Sequence, residues 1–334
     1  KGIKWRRFVQ DTIKALGKKK VHPEFAVPGG VNRNLDEDRG EELIMESEGL
    51  IDHVVDTIDL LRGVYEGLEE ENKGCGVFDG GYMGLVDGSG GLEHYDGRLR
   101  LIDRDGGLLE EINPVDYDSI ISERSKEWTY LKFPYYSKLG LDDGQYRVGP
   151  LARLNLIDGV GTDVARDEWE RYNQFTDGKL KEKAVYYHYA RLVEMIYCLE
   201  RIQELLNDDL VYNGVTSSMP PEPVMGRGVG VIEAPRGTLI HDYEVDDEGL
   251  IESANLIIAT THNNPALNDG VKKVAKKFID GPNIQEGVLN KMEGMVRSYD
   301  PCLSCSTHAL GKMPINLELV SNDGEIIDEV VREP

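Results

Sequence analysis

The chain has 334 residues, 40% hydrophobic and 30% charged, a balance that fits a folded globular protein with a large buried core and excludes a disordered one. Its 61 acidic residues against 38 basic ones give a formal charge of −23, which argues against nucleic acid and anionic membrane surfaces as partners. No apolar run reaches the ~20 residues of a membrane span, no secretory hydrophobic region is present, and four cysteines do not make a disulfide framework, so a reducing, cytoplasmic setting is expected.

The chain opens at Lys1 rather than at Met, inside an amphipathic pattern, so an N-terminal piece is expected to precede it. Ile3, Phe8, Ile13 and Leu16 predict a helix over residues 3–17, ending at Gly17 and a solvated lysine run that suits the helix dipole. Pro23, Pro28, Gly29 and Gly30 exclude a regular helix from residues 21–32 and predict a fixed, sharply turning segment. His22 in that segment reads as a structural histidine rather than a ligand. A long core-facing helix is expected over residues 36–68 from Leu43, Ile44, Leu50, Ile51, Val54, Val55, Ile58 and Leu61, with His53 packing beside the stripe.

Residues 75–125 alternate glycine-rich turns with short runs such as 98–103 and read as hairpins in a β-rich insertion. Cys75 reads as a small buried residue. Trp128, Tyr130, Phe133, Tyr135 and Tyr136 form an aromatic cluster assigned to core or subunit interface. A second strong helix is predicted over residues 186–206, with Cys198 inside it as a core thiol. Residues 226–245 read as two strands around a tight Ala234-Pro235-Arg236-Gly237 corner. A further hairpin follows and closes at Thr260-Thr261-His262-Asn263-Asn264. The glycines at 226, 228 and 230 do not open a helix and lack the spacing of a dinucleotide fingerprint, so a phosphate loop is rejected. A final helix over residues 271–299 leads to the C-terminal cysteines, and residues 314–319 and 325–331 predict a terminal strand pair. There is no internal repeat and no linker that splits the chain. The pattern is that of an α+β fold, predominantly helical, with long core helices and peripheral β-hairpins.

Chemistry concentrates in Asp300-Pro301-Cys302-Leu303-Ser304-Cys305-Ser306-Thr307-His308. Two thiolates separated by two residues can grip one soft metal ion from the same side, with Asp300 and His308 close enough to handle protons or orient ligands. The pair has three generic readings: half of a zinc or iron site, a redox dithiol, or coincidence. A structural zinc site needs a second pair, which this chain lacks. A thioredoxin-like dithiol sits at a helix N-terminus in a βαβ unit, whereas this pair follows a long helix near the C-terminus.

The stretch resembles the C-terminal metal-binding motif of the large subunit of [NiFe] hydrogenases. Three further segments are similar to that family in the same order: residues 22–31, the Glu-Ala-Pro-Arg-Gly stretch at 233–237 with the His-Asp-Tyr-Glu-Val that follows, and Ala-Thr-Thr-His-Asn-Asn at 259–264. The wording resembles the cytoplasmic NAD(P)-linked and heterodisulfide-reductase-linked (F420-non-reducing) types. The resemblance implies the large-subunit fold and reversible heterolytic cleavage of H2 at a nickel ion held by four thiolates and bridged to an iron carrying CO and cyanide. Cys302 is then a terminal nickel ligand and Cys305 a bridging one. Arg236 lies over the open metal position and is tied to Asp300, Pro235 walls the site, Thr260 hydrogen-bonds a cyanide, and His308 binds a nearby magnesium. Singly, Arg236 could be a surface ion-pair residue, Thr260 a strand-end cap and Asp300 a turn residue; together and in this order they favour the site.

Two departures bear on that reading. The family's other two thiolates come from an N-terminal Arg-x-Cys-Gly-x-Cys motif absent from this chain, so truncation ahead of Lys1 is expected. The chain also continues past His308, after which a nickel-dependent endopeptidase cuts most members of the family. Residues 1–308 are therefore expected to form one large-subunit domain, and residues 309–334 an uncleaved maturation extension of a precursor. As partners the resemblance implies an iron–sulfur small subunit, diaphorase or heterodisulfide reductase subunits beyond it, and the endopeptidase and nickel chaperones during maturation. Two competing readings are a non-catalytic scaffold like the related respiratory complex I subunit, which lacks the thiolates, and a simple zinc or iron protein using Cys302, Cys305 and His308.

Overall fold

The fold is a computed structural model that describes residues 2–27, 29–68, 76–175, 180–217, 226–307 and 315–332. It opens with α1 (Gly2–Gly17), followed by a minimal hairpin of β1 (Ala26–Val27) and β2 (Gly30–Val31) in the turning segment predicted there. The long helix expected over residues 36–68 is two helices, α2 (Glu37–Ser47) and α3 (Leu50–Gly67). Asp36 caps the first by accepting from the Arg39 N–H. Gly49, at φ +70°, breaks the run in a left-handed conformation that costs glycine little.

A sheet follows, from β3 (Gly81–Val86), β4 (Arg98–Ile102) and β5 (Leu108–Ile112). A separate hairpin pairs β6 (Ile121–Lys126) with β7 (Thr129–Tyr136). β8 (Tyr146–Arg147) then adds to β3 in parallel, giving the order β5-β4-β3-β8. All six residues of β3 are buried, so the sheet reaches into the core. The aromatic cluster divides across the β6–β7 hairpin: Phe133 and Tyr136 are buried, while Trp128 and Tyr130 face outward.

Next come α4 (Pro150–Leu156), α5 (Asp163–Gln174) and α6 (Tyr186–Leu206). The sequence pattern did not predict α5, because among its buried residues Ala165, Glu168 and Tyr172 only two are apolar. α6 is the central helix. Its Tyr189, Val193, Ile196 and Leu199 pack with Leu43, Val54 and Ile58 of α2 and α3. Cys198, expected in the core, is exposed on the other side of α6. The reason is helical phase: it follows Tyr197 and precedes Leu199, both of which turn inward.

β9 (Gly226–Ala234), β10 (Gly237–Val245) and β11 (Ile251–Ile257) form an antiparallel sheet in the order β11-β10-β9. A single turn, α7 (Ala259–His262), leads into α8 (Asn264–Phe278) and α9 (Glu286–Ser298). The one helix expected over residues 271–299 is thus split. Gly281, at φ +84°, and Pro282, which has no N–H to donate, end the first segment. α10 (Leu303–Thr307) carries the second C-terminal cysteine, and β12 (Ile315–Val320) pairs with β13 (Ile326–Arg332) as predicted. That hairpin docks on the α8–α9 connection through the Ile284 N–H, which donates to Asp328 Oδ2 at 2.6 Å. No helix among the described residues is long and apolar enough to cross a membrane.

Candidate metal centre

Arg236 stands at the tip of the β9–β10 hairpin, where Gly237 pairs with Ala234 and Thr238 with Glu233. The backbone there has no slack. Gly237 sits at φ +134°, and a Cβ on it would lie 2.3 Å from Val148 Cγ2. Gly149, at φ +97°, approaches from the other side, and a Cβ there would lie 2.7 Å from the Arg236 carbonyl oxygen. Only glycine fits either position.

From this fixed base the Arg236 side chain reaches Asp300. Its Nε donates to the Asp300 carbonyl oxygen at 2.5 Å and lies 3.3 Å from Oδ2, and Nη2 donates to Oδ1 at 3.5 Å. Asp300 is placed by the end of α9: its N–H donates to the Arg297 carbonyl, its φ is +50°, and Pro301 follows. Aspartate tolerates the left-handed region better than most residues, and the proline forbids the helix from resuming. The chain therefore turns sharply between Tyr299, buried against Tyr187 with ring centroids 4.7 Å apart, and Cys302.

The Cys302 N–H donates to Thr260 Oγ1 at 3.0 Å. Thr260 is buried on α7, which is clamped to β8 and the residue after it. Asn263 Oδ1 accepts from the Val148 N–H at 2.9 Å while its Nδ2 donates to the Val148 carbonyl at 3.3 Å. His262 Nδ1 lies 2.8 Å from the Tyr146 hydroxyl, and full burial pushes the imidazole pKa down to about 3, so the ring is neutral. Four of the residues singled out from sequence, Arg236, Thr260, Asp300 and Cys302, thus meet at one corner. Pro235 stays exposed and lines an apolar groove of about 620 Å³ along α6.

Cys302 and Cys305 are joined as a disulfide, with Cα atoms 5.4 Å apart. Two intervening residues at the start of α10 put both sulfurs on one side of a single turn, a placement that serves a shared metal ion or a disulfide equally. His308, assigned to magnesium, and Cys75 lie outside the described residues. Among the described residues no group of three or more His, Cys, Asp or Glu side chains is arranged to hold a metal ion.

One arrangement beside the corner escaped the sequence reading. Arg153 on α4, 1% exposed, lies between two buried carboxylates. Its Nε and Nη2 donate to Glu194 of α6 at 2.5 and 2.6 Å, and its Nη1 donates to Glu233 Oε2 at 2.5 Å and to the Ala234 carbonyl at 3.2 Å. Burial raises the pKa of Glu233, opposed by the adjacent guanidinium. His94, beside Glu194, is held down to about 4 chiefly by burial. The signal that could have found this cluster was a charged residue at an inward position: Arg153 between Leu151 and Leu154, and Glu194 next to Val193.

The nickel-dependent hydrogenase family model matches residues 105–308. The beta subunit of the NAD-reducing hydrogenase HoxS of Cupriavidus necator is 39% identical over 98% of this chain and 69% of that protein. The matching chain of the F420-non-reducing hydrogenase vhc of Methanococcus voltae is 37% identical over 97% of this chain and 69% of its own length. Among solved structures, an NAD+-reducing [NiFe]-hydrogenase in the H2-reduced state superposes with a TM-score of 0.86 at 39% identity, covering 92% of this chain and 68% of that one. The Ni-Fe-Se hydrogenase of D. vulgaris Hildenborough shares the fold with a TM-score of 0.71 at 20% identity, over 92% of this chain and 69% of its own. The chain belongs to the nickel-dependent hydrogenase large-subunit family. Relatives named hydrogenases are oxidoreductases acting on H2.

Proposed function

We propose that this chain is the large subunit of a [NiFe] hydrogenase, and that Cys302 and Cys305, reduced, supply two sulfur donors to a nickel–iron centre whose iron carries CO and cyanide. Soft sulfurs on one helical turn suit such an ion, so the residues present fit the group in part. They make half of a four-thiolate set, and the other half is not among the described residues. When bound, the centre supplies the redox-active site at which dihydrogen is split.

The chain's own residues prepare that site. The Arg236 guanidinium, held through the Asp300 carbonyl and carboxylate, is a fixed cation whose remaining N–H groups can stabilise negative charge that develops during cleavage. Asp300 keeps that cation in place. Cys302 Sγ is the base assigned to accept the proton. Thr260 uses one lone pair on the Cys302 N–H, and its hydroxyl hydrogen remains to donate to a cyanide. Pro235 is assigned to the wall of the centre and His308 to magnesium.

Electrons leave through an iron–sulfur small subunit, with NAD(P)-linked diaphorase or heterodisulfide reductase subunits beyond it, in the cytoplasm. Residues 1–308 belong to one large-subunit domain that contributes these two donors. Residues 309–334 act as a maturation extension removed by a nickel-dependent endopeptidase after chaperones load nickel. The observation that carries the reading is the convergence of Arg236, Thr260, Asp300 and Cys302 from separate stretches onto one corner. The test is the purified complex: nickel and iron analysis, infrared bands of CO and cyanide, and H2-dependent dye reduction. Nickel- and iron-loaded complex that neither reduces dye nor exchanges D2 with water would sink the reading.

A further inference from the structure

We infer that Arg153 is a positioning residue for Arg236, and that the buried triad Glu194–Arg153–Glu233 exists to fix the β9–β10 turn from which Arg236 projects. The inference rests on the catalytic reading of Arg236 above.

A buried ion cluster is a poor source of stability, since desolvating its charges costs about what their attraction returns, and apolar replacements are often neutral or better. Geometry explains this one better. Glu233 pairs with Thr238, one step before the hairpin closes at Ala234 and Gly237. Its Oε1 accepts from the Leu85 N–H of β3 at 3.2 Å and from Thr238 Oγ1, across the turn, at 2.7 Å. Its Oε2 takes Arg153 Nη1, and the same nitrogen donates to the Ala234 carbonyl, two residues before Arg236. The β9 flank of the Ala234–Gly237 turn is therefore tied directly to the guanidinium, and the β10 flank is tied to it through Glu233.

That guanidinium is itself held by α6 through Glu194. Its helix, α4, is preceded by the N-cap Gly149, the residue pressed against the Arg236 carbonyl, and the Arg153 N–H donates to the Gly149 carbonyl at 2.9 Å. Arg153 and Gly149 thus set the depth and the tilt of the Arg236 backbone from a single helical turn. The fork matters: Arg153 serves Glu194 with two nitrogens and Glu233 with a third, which a lysine cannot do. The contrast within the site supports the assignment. The Arg236 side chain is 40% exposed, whereas Arg153 beneath its backbone is 1% exposed.

The test is a double-mutant cycle in the assembled hydrogenase, using Arg153→Lys, Arg236→Lys and the pair, with Glu194→Gln as a milder second route to loosen Arg153 should Arg153→Lys fold poorly. Positioning through Arg236 predicts that Arg153→Lys lowers kcat ~10-fold or more with little change in the KM for H2, and that it costs nothing further once Arg236 is lysine. Equal losses in both backgrounds would overturn it. A metal-independent readout separates this from failure of the hydrogenase reading. Hydrogen exchange of the peptide spanning residues 231–240 should quicken ~10-fold in Arg153→Lys and Glu194→Gln, with α6 peptides beyond Glu194 unchanged. Unaltered exchange at the turn, or loosening spread along all of α6, would show that Arg153 does not act on the turn.

Discussion

Arg236 and Asp300, 64 residues apart in the chain, meet through three contacts, one to the Asp300 main chain and two to its carboxylate. The main-chain contact ties the guanidinium to the turn that launches Cys302. The carboxylate sets which way the guanidinium faces. Both side chains are well exposed, so the pair contributes under ~1 kcal/mol to folding, and its value lies in orientation.

Asp300→Asn separates those two functions. Asparagine tolerates φ +50° nearly as well as aspartate, so the turn into Pro301 should persist. The charge that steadies Arg236 is lost. The expected outcome is a melting temperature within about 2 °C of the wild type, intact nickel loading, and a kcat reduced ~10- to 100-fold. Comparison of melting curves, metal content and H2 oxidation rates checks it, and a large drop in stability would mean that the carboxylate is structural.

Thr260→Val removes one hydroxyl and keeps the shape. The Cys302 N–H then loses its acceptor at a half-buried position, for a cost of ~1 kcal/mol. The larger effect should fall on metal retention, because Thr260 fixes the backbone from which the first sulfur projects. Nickel occupancy after dialysis should fall while the far-ultraviolet circular dichroism stays unchanged. Full occupancy in the variant would show that the cysteine stretch holds itself in place.

Gly149→Ala probes the packing beneath the corner. A Cβ there combines left-handed backbone strain with a 2.7 Å approach to the Arg236 carbonyl oxygen. Strain and overpacking together should cost about 3 kcal/mol. If the turn yields instead, stability is spared and activity is lost, because Arg236 moves. Urea unfolding and H2 oxidation measured on the same preparation distinguish the two responses. Wild-type values in both would refute the close approach.

Much of this was legible before the fold was known, for physical reasons. The Asp-Pro-Cys stretch and the Glu-Ala-Pro-Arg-Gly corner carry prolines, glycines and thiols whose chemistry is local, and strong stripes such as Val54–Ile58 and Ile196–Leu199 announce buried helix faces. The helix breaks at Gly49 and Gly281-Pro282 were signalled in the sequence but overridden by continuous apolar periodicity on either side. The Arg153 triad was not legible. Glu194 is 41 residues from Arg153 and Glu233 is 80, and nothing local marks a charge as destined for burial. Nor does spacing alone decide whether Cys302 and Cys305 meet as a disulfide or as two donors to a metal.

The buried histidines make acid sensitivity the last expectation. His262 titrates at about 3 in the folded chain because burial opposes its charge, against about 6.5 when unfolded. Between those values the unfolded state binds more protons, so stability is fully present above about pH 6.5 and declines as pH falls, by up to ~1.4 kcal/mol per unit. His94, held down to about 4, acts with the same sign. In His262→Gln the His262 share of that slope disappears. Urea unfolding at about pH 7 and about pH 5 should therefore show the wild type losing ~2 kcal/mol more than the variant over that interval. Since His262 lies on α7 beside Thr260, the same acid titration should release nickel from the wild type at higher pH than from the variant, provided both start fully loaded. Equal acid dependence of the two proteins would mean that His262 is not held neutral by burial in the folded state.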